Sequence, residues 1–119
     1  MTQPLVSRFD EMITSPARLA ILSTLVPGER VSFSAMKRAT GLADGNLHVQ
    51  TSKLAGAGYL EIRKRRGATR PVTEFRLTEL GLERFRLHVR RLEAVLDSET
   101  GVIRPVLASE RQDDSEVWS

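Results

Sequence analysis

Cysteine is absent from this 119-residue sequence, which excludes disulfides, zinc–thiolate sites and thiol redox sensing. Histidine is scarce as well. His48 and His88 stand 40 residues apart and make no metal signature. No Gly-rich phosphate loop follows a strand. Neither an enzyme nor a bound cofactor or metal is therefore expected. There is no run of about 18 apolar residues, so no segment reads as a membrane span. The opening stretch, MTQPLVSRFDEM, lacks a charged region followed by an apolar one. Secretion is not indicated, and the expected address is cytoplasmic. Internal repeats and low-complexity blocks are missing too.

What is present is an ordinary globular composition, 40% hydrophobic and 28% charged, with an uneven distribution of charge. Residues 1–30 balance three basic against three acidic side chains. Residues 31–77 carry nine basic and three acidic, a net of +6. Residues 78–119 carry six basic and nine acidic, a net of −3. Arg63, Lys64, Arg65, Arg66 and Arg70 place five positive charges within eight residues, with no acid among them. A basic middle of this kind points to a polyanionic partner.

Periodicity divides the chain into short elements. Leu5, Phe9, Met12 and Ile13 recur at helical spacing. Ser15-Pro16 is a cap followed by proline at the first helical position, and Pro27-Gly28 stops the strongly apolar helix between. Val31 and Phe33 alternate with serines, which predicts a very short strand. Ser34 is the expected cap of a helix over SAMKRAT, ended by Gly41. Asp44 is the expected cap of a helix over residues 45–57, released by Gly56 and Gly58. These two helices and the tight turn between them form a helix-turn-helix pair. Residues 59–65 and 72–78 alternate apolar and polar around RGATRP, a hairpin with a flexible tip. The predicted class is α+β, mostly helical: a winged helix-turn-helix with a two-stranded wing.

Placed on a 100° wheel, Leu47, Gln50, Thr51 and Leu54 of the 45–57 helix fall on one side, with Leu47 and Leu54 facing the core. Gly45, Asn46, His48, Val49, Ser52 and Lys53 form the outer face, which a DNA major groove would meet. Asn46 suits adenine N6 and N7, Val49 a thymine methyl, and Ser52 a base edge or phosphate. Lys53 suits phosphate or guanine, and His48 can donate to phosphate. Gly45 lets the helix N-terminus approach the backbone, where free N–H groups favour a phosphate. The wing cations would release counterions from the duplex, and Arg66 or Arg70 could enter the minor groove. Lys37 and Arg38 would touch the opposite flank.

Thr78 is the expected cap of a long helix, with Glu79 in its first turn. Leu82, Phe85, Val89, Leu92 and Leu96 are spaced 3, 4, 3 and 4, a heptad-like seam suited to a homodimer interface. The alternative use of that seam is packing back on the N-terminal segment. His88 lies beside it and reads as an exposed helical histidine. Residues 1–98 are assigned to the DNA-binding and dimerisation domain, and 99–119 to a loosely held acidic C-terminal tail.

The stretch from Ser15 to Phe85 resembles the winged-helix transcriptional regulators of the MarR/ArsR type, particularly the small ones that consist of little more than this domain. SPARLAIL, GLADGNLHVQTSKLAGAGYL, the basic wing and FRLTELGLERF carry the resemblance, which covers residues 9 to about 96. It implies a homodimer on a pseudo-palindromic duplex, with the Gly45–Lys53 helix in the major groove, residues 63–71 as the wing, and repression more often than activation. Two departures stand out. The cysteine-based metal sites of some relatives have no counterpart, and Thr51 replaces the usual apolar core residue. No effector is specified by these residues. Two other readings share the same features, a winged helix used as a protein-interaction module and a sequence-tolerant nucleic-acid-binding protein. The basic wing argues against the first, and Asn46, Val49 and Ser52 argue against the second.

Overall fold

The computed structural model describes residues 4–97, so the expected acidic tail lies outside the described residues. Ser15 caps the first helix as its sequence requires, its Oγ accepting from the Arg18 N–H at 3.3 Å. That helix, α1 (Pro16–Leu25), supplies Ile21, Leu22 and Leu25 to the core. Burying side chains of this size contributes roughly 1.5–3 kcal/mol each. Gly28 then takes φ +92°, a left-handed turn residue.

The next elements are β1 (Val31–Ser32), α2 (Phe33–Thr40) and α3 (Asp44–Gly56). Then come β2 (Leu60–Arg66), β3 (Pro71–Leu77) and α4 (Glu79–Leu96). The three strands form an antiparallel sheet in the order β1-β3-β2. Ile62 faces Phe75 across the hairpin, and Val31 faces the same Phe75 from the other side. Because side chains alternate along a strand, Leu60, Ile62, Phe75 and Leu77 share one face of the sheet; Leu60 and Phe75 are buried on it, whereas Ile62 is already exposed. Beyond Ile62 that face is continued by Lys64 and Arg66, where the hairpin leaves the body. Ile13, Met36, Leu47, Leu54 and Phe75 complete a single core under α1, α2, α3 and the sheet.

Four expectations need correction. Residues 5–14 are not one α-helix but a 3-10 turn, Leu5–Arg8, followed by a separate turn. Asp10 Oδ1 accepts from the Met12 N–H at 2.9 Å, and this local bond competes with helix continuation. The cap of α2 is Ser32, not Ser34: Ser32 Oγ accepts from Ala35 N–H at 3.1 Å. Pairing of β1 with β3 ends at Ser32 and forces the helix to start one residue later. Asp44 is the first residue of α3 and not its cap, a place held by Ala43 without a side-chain bond. Finally, His88 is only 4% exposed. Its ring meets Phe9 edge-on, with centroids 6.3 Å apart.

Thr51 is buried, and its position does not disturb α3. Its hydroxyl donates to the Leu47 carbonyl at 2.7 Å within the same helix, so no polar group is stranded. Thr78 caps α4 as expected, accepting from Gly81 N–H at 3.0 Å and donating to the Gly58 carbonyl at 2.6 Å.

Candidate nucleic-acid interface

The two faces of α3 separate as the 3.6-residue period demands. Leu47, Thr51 and Leu54 are buried, while Gly45, Asn46, His48, Val49, Ser52 and Lys53 are exposed. Val49 is 50% exposed, an apolar side chain presented to solvent on the outer face. His48 stacks at a tilt on Phe33 of α2, with ring centroids 4.8 Å apart. That contact links the outer face of α3 to the start of α2.

Asn46 is not isolated. Its Oδ1 accepts from Gln50 Nε2 at 3.0 Å, and Gln50 Oε1 accepts from Arg18 Nη1 at 2.7 Å. Neither Arg18 nor Gln50 was singled out by sequence reasoning, which placed Gln50 only on the inward side. A signal did exist: Arg18 is the one charged residue of the mainly apolar α1.

The cations flanking α3 differ in how free they are. Lys37 Nζ lies 2.7 Å from Asp44 Oδ1, a pair between the α2 end and the α3 start. The hydrogen bond and charge of Lys37 hold the Asp44 carboxyl below its usual range. Arg38 is exposed on the same helix. In the wing, Arg65 Nε pairs with Glu74 Oε2 at 2.7 Å, and Arg76 pairs with Glu61 at 3.0 Å. Arg63, Lys64, Arg66 and Arg70 are exposed and form no ion pair among the described residues. Four exposed cations, uncompensated among the described residues, therefore project from the hairpin. The wing tip turns back toward α2, so Arg70 borders one recess together with Lys37 and Arg38. Arg65, Arg70 and His48 border a second, between the wing and α3. The basic cluster and the outer face of α3 thus form one surface. The tip itself is tight: a Cβ on Gly67 would lie 2.4 Å from the Arg70 carbonyl oxygen.

The long helix divides its faces between two tasks. Arg91 Nη1 donates to the Arg8 carbonyl at 2.7 Å, and His88 packs on Phe9, so the N-terminal segment covers one stripe. His88 Nδ1 and Arg8 Nε are buried there without partners among the described residues. The predicted seam lies on another stripe. Phe85 packs against the domain's own core. Val89 and Leu92 are 37% and 45% exposed, and Leu96 is 74% exposed. Val26 joins Leu82, Phe85 and Val89 around a shallow apolar groove.

Among the described residues, no group of three His, Cys, Asp or Glu could hold a metal ion, and no helix is long and apolar enough to cross a membrane. The sequence profile of the winged helix DNA-binding domain family matches residues 17–96, well over half of the chain. The chain is similar to the transcriptional regulator homologue protein from Pyrococcus horikoshii OT3, at 30% identity and a TM-score of 0.68, covering 74% of this chain and 87% of that one. It shares a fold with the PcaV transcriptional regulator of Streptomyces coelicolor, at 24% identity and a TM-score of 0.61, over 94% of this chain and 76% of that one. The same fold appears in a putative MarR-family regulator from Porphyromonas gingivalis W83, at 17% identity and a TM-score of 0.57, over 77% of this chain and 85% of that one. No curated protein matches the chain. The resemblance expected from the helix-turn-helix stretch and the basic wing is borne out, and the chain belongs to the winged helix DNA-binding domain family.

Proposed function

We propose that this protein is a cytoplasmic transcriptional regulator that binds duplex DNA as a homodimer, and that it represses by occupying its site. In this reading α3 lies in the major groove. Asn46, Val49, Ser52 and Lys53 meet base edges, and His48 and the Gly45 end of the helix meet phosphate. Arg63, Lys64, Arg66 and Arg70 follow the phosphates or the adjoining minor groove, and Lys37 and Arg38 hold the other flank. The observation that carries the reading is the continuity of two surfaces, an exposed outer face on α3 beside four wing cations without acidic partners among the described residues. Free cations release counterions on binding, whereas paired ones first lose an existing partner.

Dimerisation through α4 is supported by Val26, Val89 and Leu92, which leave apolar surface open on a helix anchored at its other stripe. An 18-residue helix is about 27 Å long, enough to reach past the body to a second copy. The likeness to a transcriptional regulator homologue supports the regulatory role.

Selection of a randomised duplex pool over several rounds, at two salt concentrations, tests the reading. Enrichment of an inverted repeat with half-sites about one helical turn apart is the expected result. Retention without enrichment points to sequence-tolerant binding, and no retention at low salt removes DNA as the partner.

A further inference from the structure

We propose that Arg18, through Gln50, is a positioning residue that fixes which end of the Asn46 amide faces the duplex. The inference rests on the base-reading role proposed above for Asn46.

The polarity of the chain follows from what each group can do. Arg18 is a donor only, so whatever it touches must present an acceptor. Its guanidinium is held on three sides. Nε donates to the Met12 carbonyl at 2.7 Å, Nη2 to the Glu11 carbonyl at 3.2 Å, and Nη1 to Gln50 Oε1 at 2.7 Å. Gln50 must therefore turn its oxygen inward and its Nε2 outward. That nitrogen donates to Asn46 Oδ1 at 3.0 Å. The Asn46 Nδ2 is then directed away from Gln50, free to donate to an acceptor on a base.

Gln50 alone could not set this. A glutamine–asparagine pair four residues apart on a helix surface is weak, and either amide can rotate by a half-turn at small cost. The charge-assisted bond from Arg18 removes that freedom, because reversing Gln50 would put an NH2 against a cation. Arg18 is itself half-buried on α1 and tied to the segment before it, so the orientation of a groove-facing side chain on α3 is set through Gln50 by a residue of another helix, Arg18 and Gln50 standing 32 positions apart in sequence. Arg18 need not touch DNA for this.

The test uses the full-length protein and a duplex that it enriches from a randomised pool, with every base pair of one half-site substituted in turn. Asn46→Ala first identifies the position where discrimination depends on Asn46, on the order of tenfold for a real base contact. Gln50→Leu and Arg18→Met should lose most of the discrimination at that one position and keep it at all others. Gln50→Leu should also keep the wild-type salt slope on a non-specific duplex, since it changes no charge. A thermal melt of each variant shows whether it folds. Gln50→Leu disturbs only the link itself, so it decides the matter if Arg18→Met unfolds. Equal loss at every position would mean that the helix has merely shifted, and would overturn the proposal. Full discrimination in both variants at the Asn46 position would overturn it while leaving base reading intact. Full discrimination in Asn46→Ala would remove the base-reading role and this inference with it.

Discussion

Arg65 and Arg66 are neighbours with opposite surroundings, and they should not behave alike. Arg65 is paired with Glu74, whereas Arg66 forms no ion pair among the described residues. Arg66→Ala should weaken binding to every duplex and lower the salt slope by about 0.9. Arg65→Ala should lower it less, because the freed Glu74 already offset part of that charge. Fluorescence anisotropy over a salt series separates the two. Tyr59 offers a second residue-level test. Its hydroxyl donates to Asp10 Oδ2, and burial, then that carboxylate, push it up to about 12 from an ordinary 10.0. The folded state therefore favours the neutral phenol. Its contribution is complete below pH 10 and is lost as the pH rises through about 12. Melting temperatures between pH 10 and 12 should fall more steeply in the wild type than in Tyr59→Phe. An equal fall would show that other groups govern alkaline unfolding.

At the scale of elements, α4 is seated by a glycine that nothing in the sequence marks out. A Cβ on Gly81 would lie 2.0 Å from the Tyr59 carbonyl oxygen and 2.8 Å from a Leu77 methyl. Gly81→Ala should destabilise the fold by roughly 1–3 kcal/mol, although alanine is the better helix former by about 1 kcal/mol. Gly56→Ala, with open space around it, should not. Urea titration of both variants checks the contrast. The same distinction explains what could be read in advance. Helices, hairpin and the two faces of α3 follow from local period, and they were legible. Ser32 against Ser34 was not, because the choice depends on β1 meeting β3 more than forty residues away. Asp44 looked like a cap but is held by Lys37. His88 looked exposed because its cover, Phe9, comes from a segment that was expected to be helical. The outer face of α3 was legible for the same reason as the helix itself. The link from Asn46 to Arg18 was not, since it crosses from one helix to another.

For the whole molecule, the open stripe on α4 makes the strongest demand. Leu92→Glu should place a charge in the proposed contact between copies and yield a monomer, which sedimentation velocity would detect. A dimer that survives the change would put the contact elsewhere. Such a monomer should keep non-specific affinity per copy, because the wing and α3 lie on a different face. A smaller feature has the wider consequence. The two residues of β1 tie the loop before α2 to the same strand that forms one side of the wing, and Val31 and Ile62 grip Phe75 from both sides. Helix and hairpin are thus set on one rigid frame, like the two jaws of a caliper with its screw locked. Duplex DNA turns by about a tenth of a revolution with each base pair. In the proposed complex the span from groove contact to phosphate contact would then be set by the protein, and the wing would rest on whichever phosphate lies at that span, whatever base it carries.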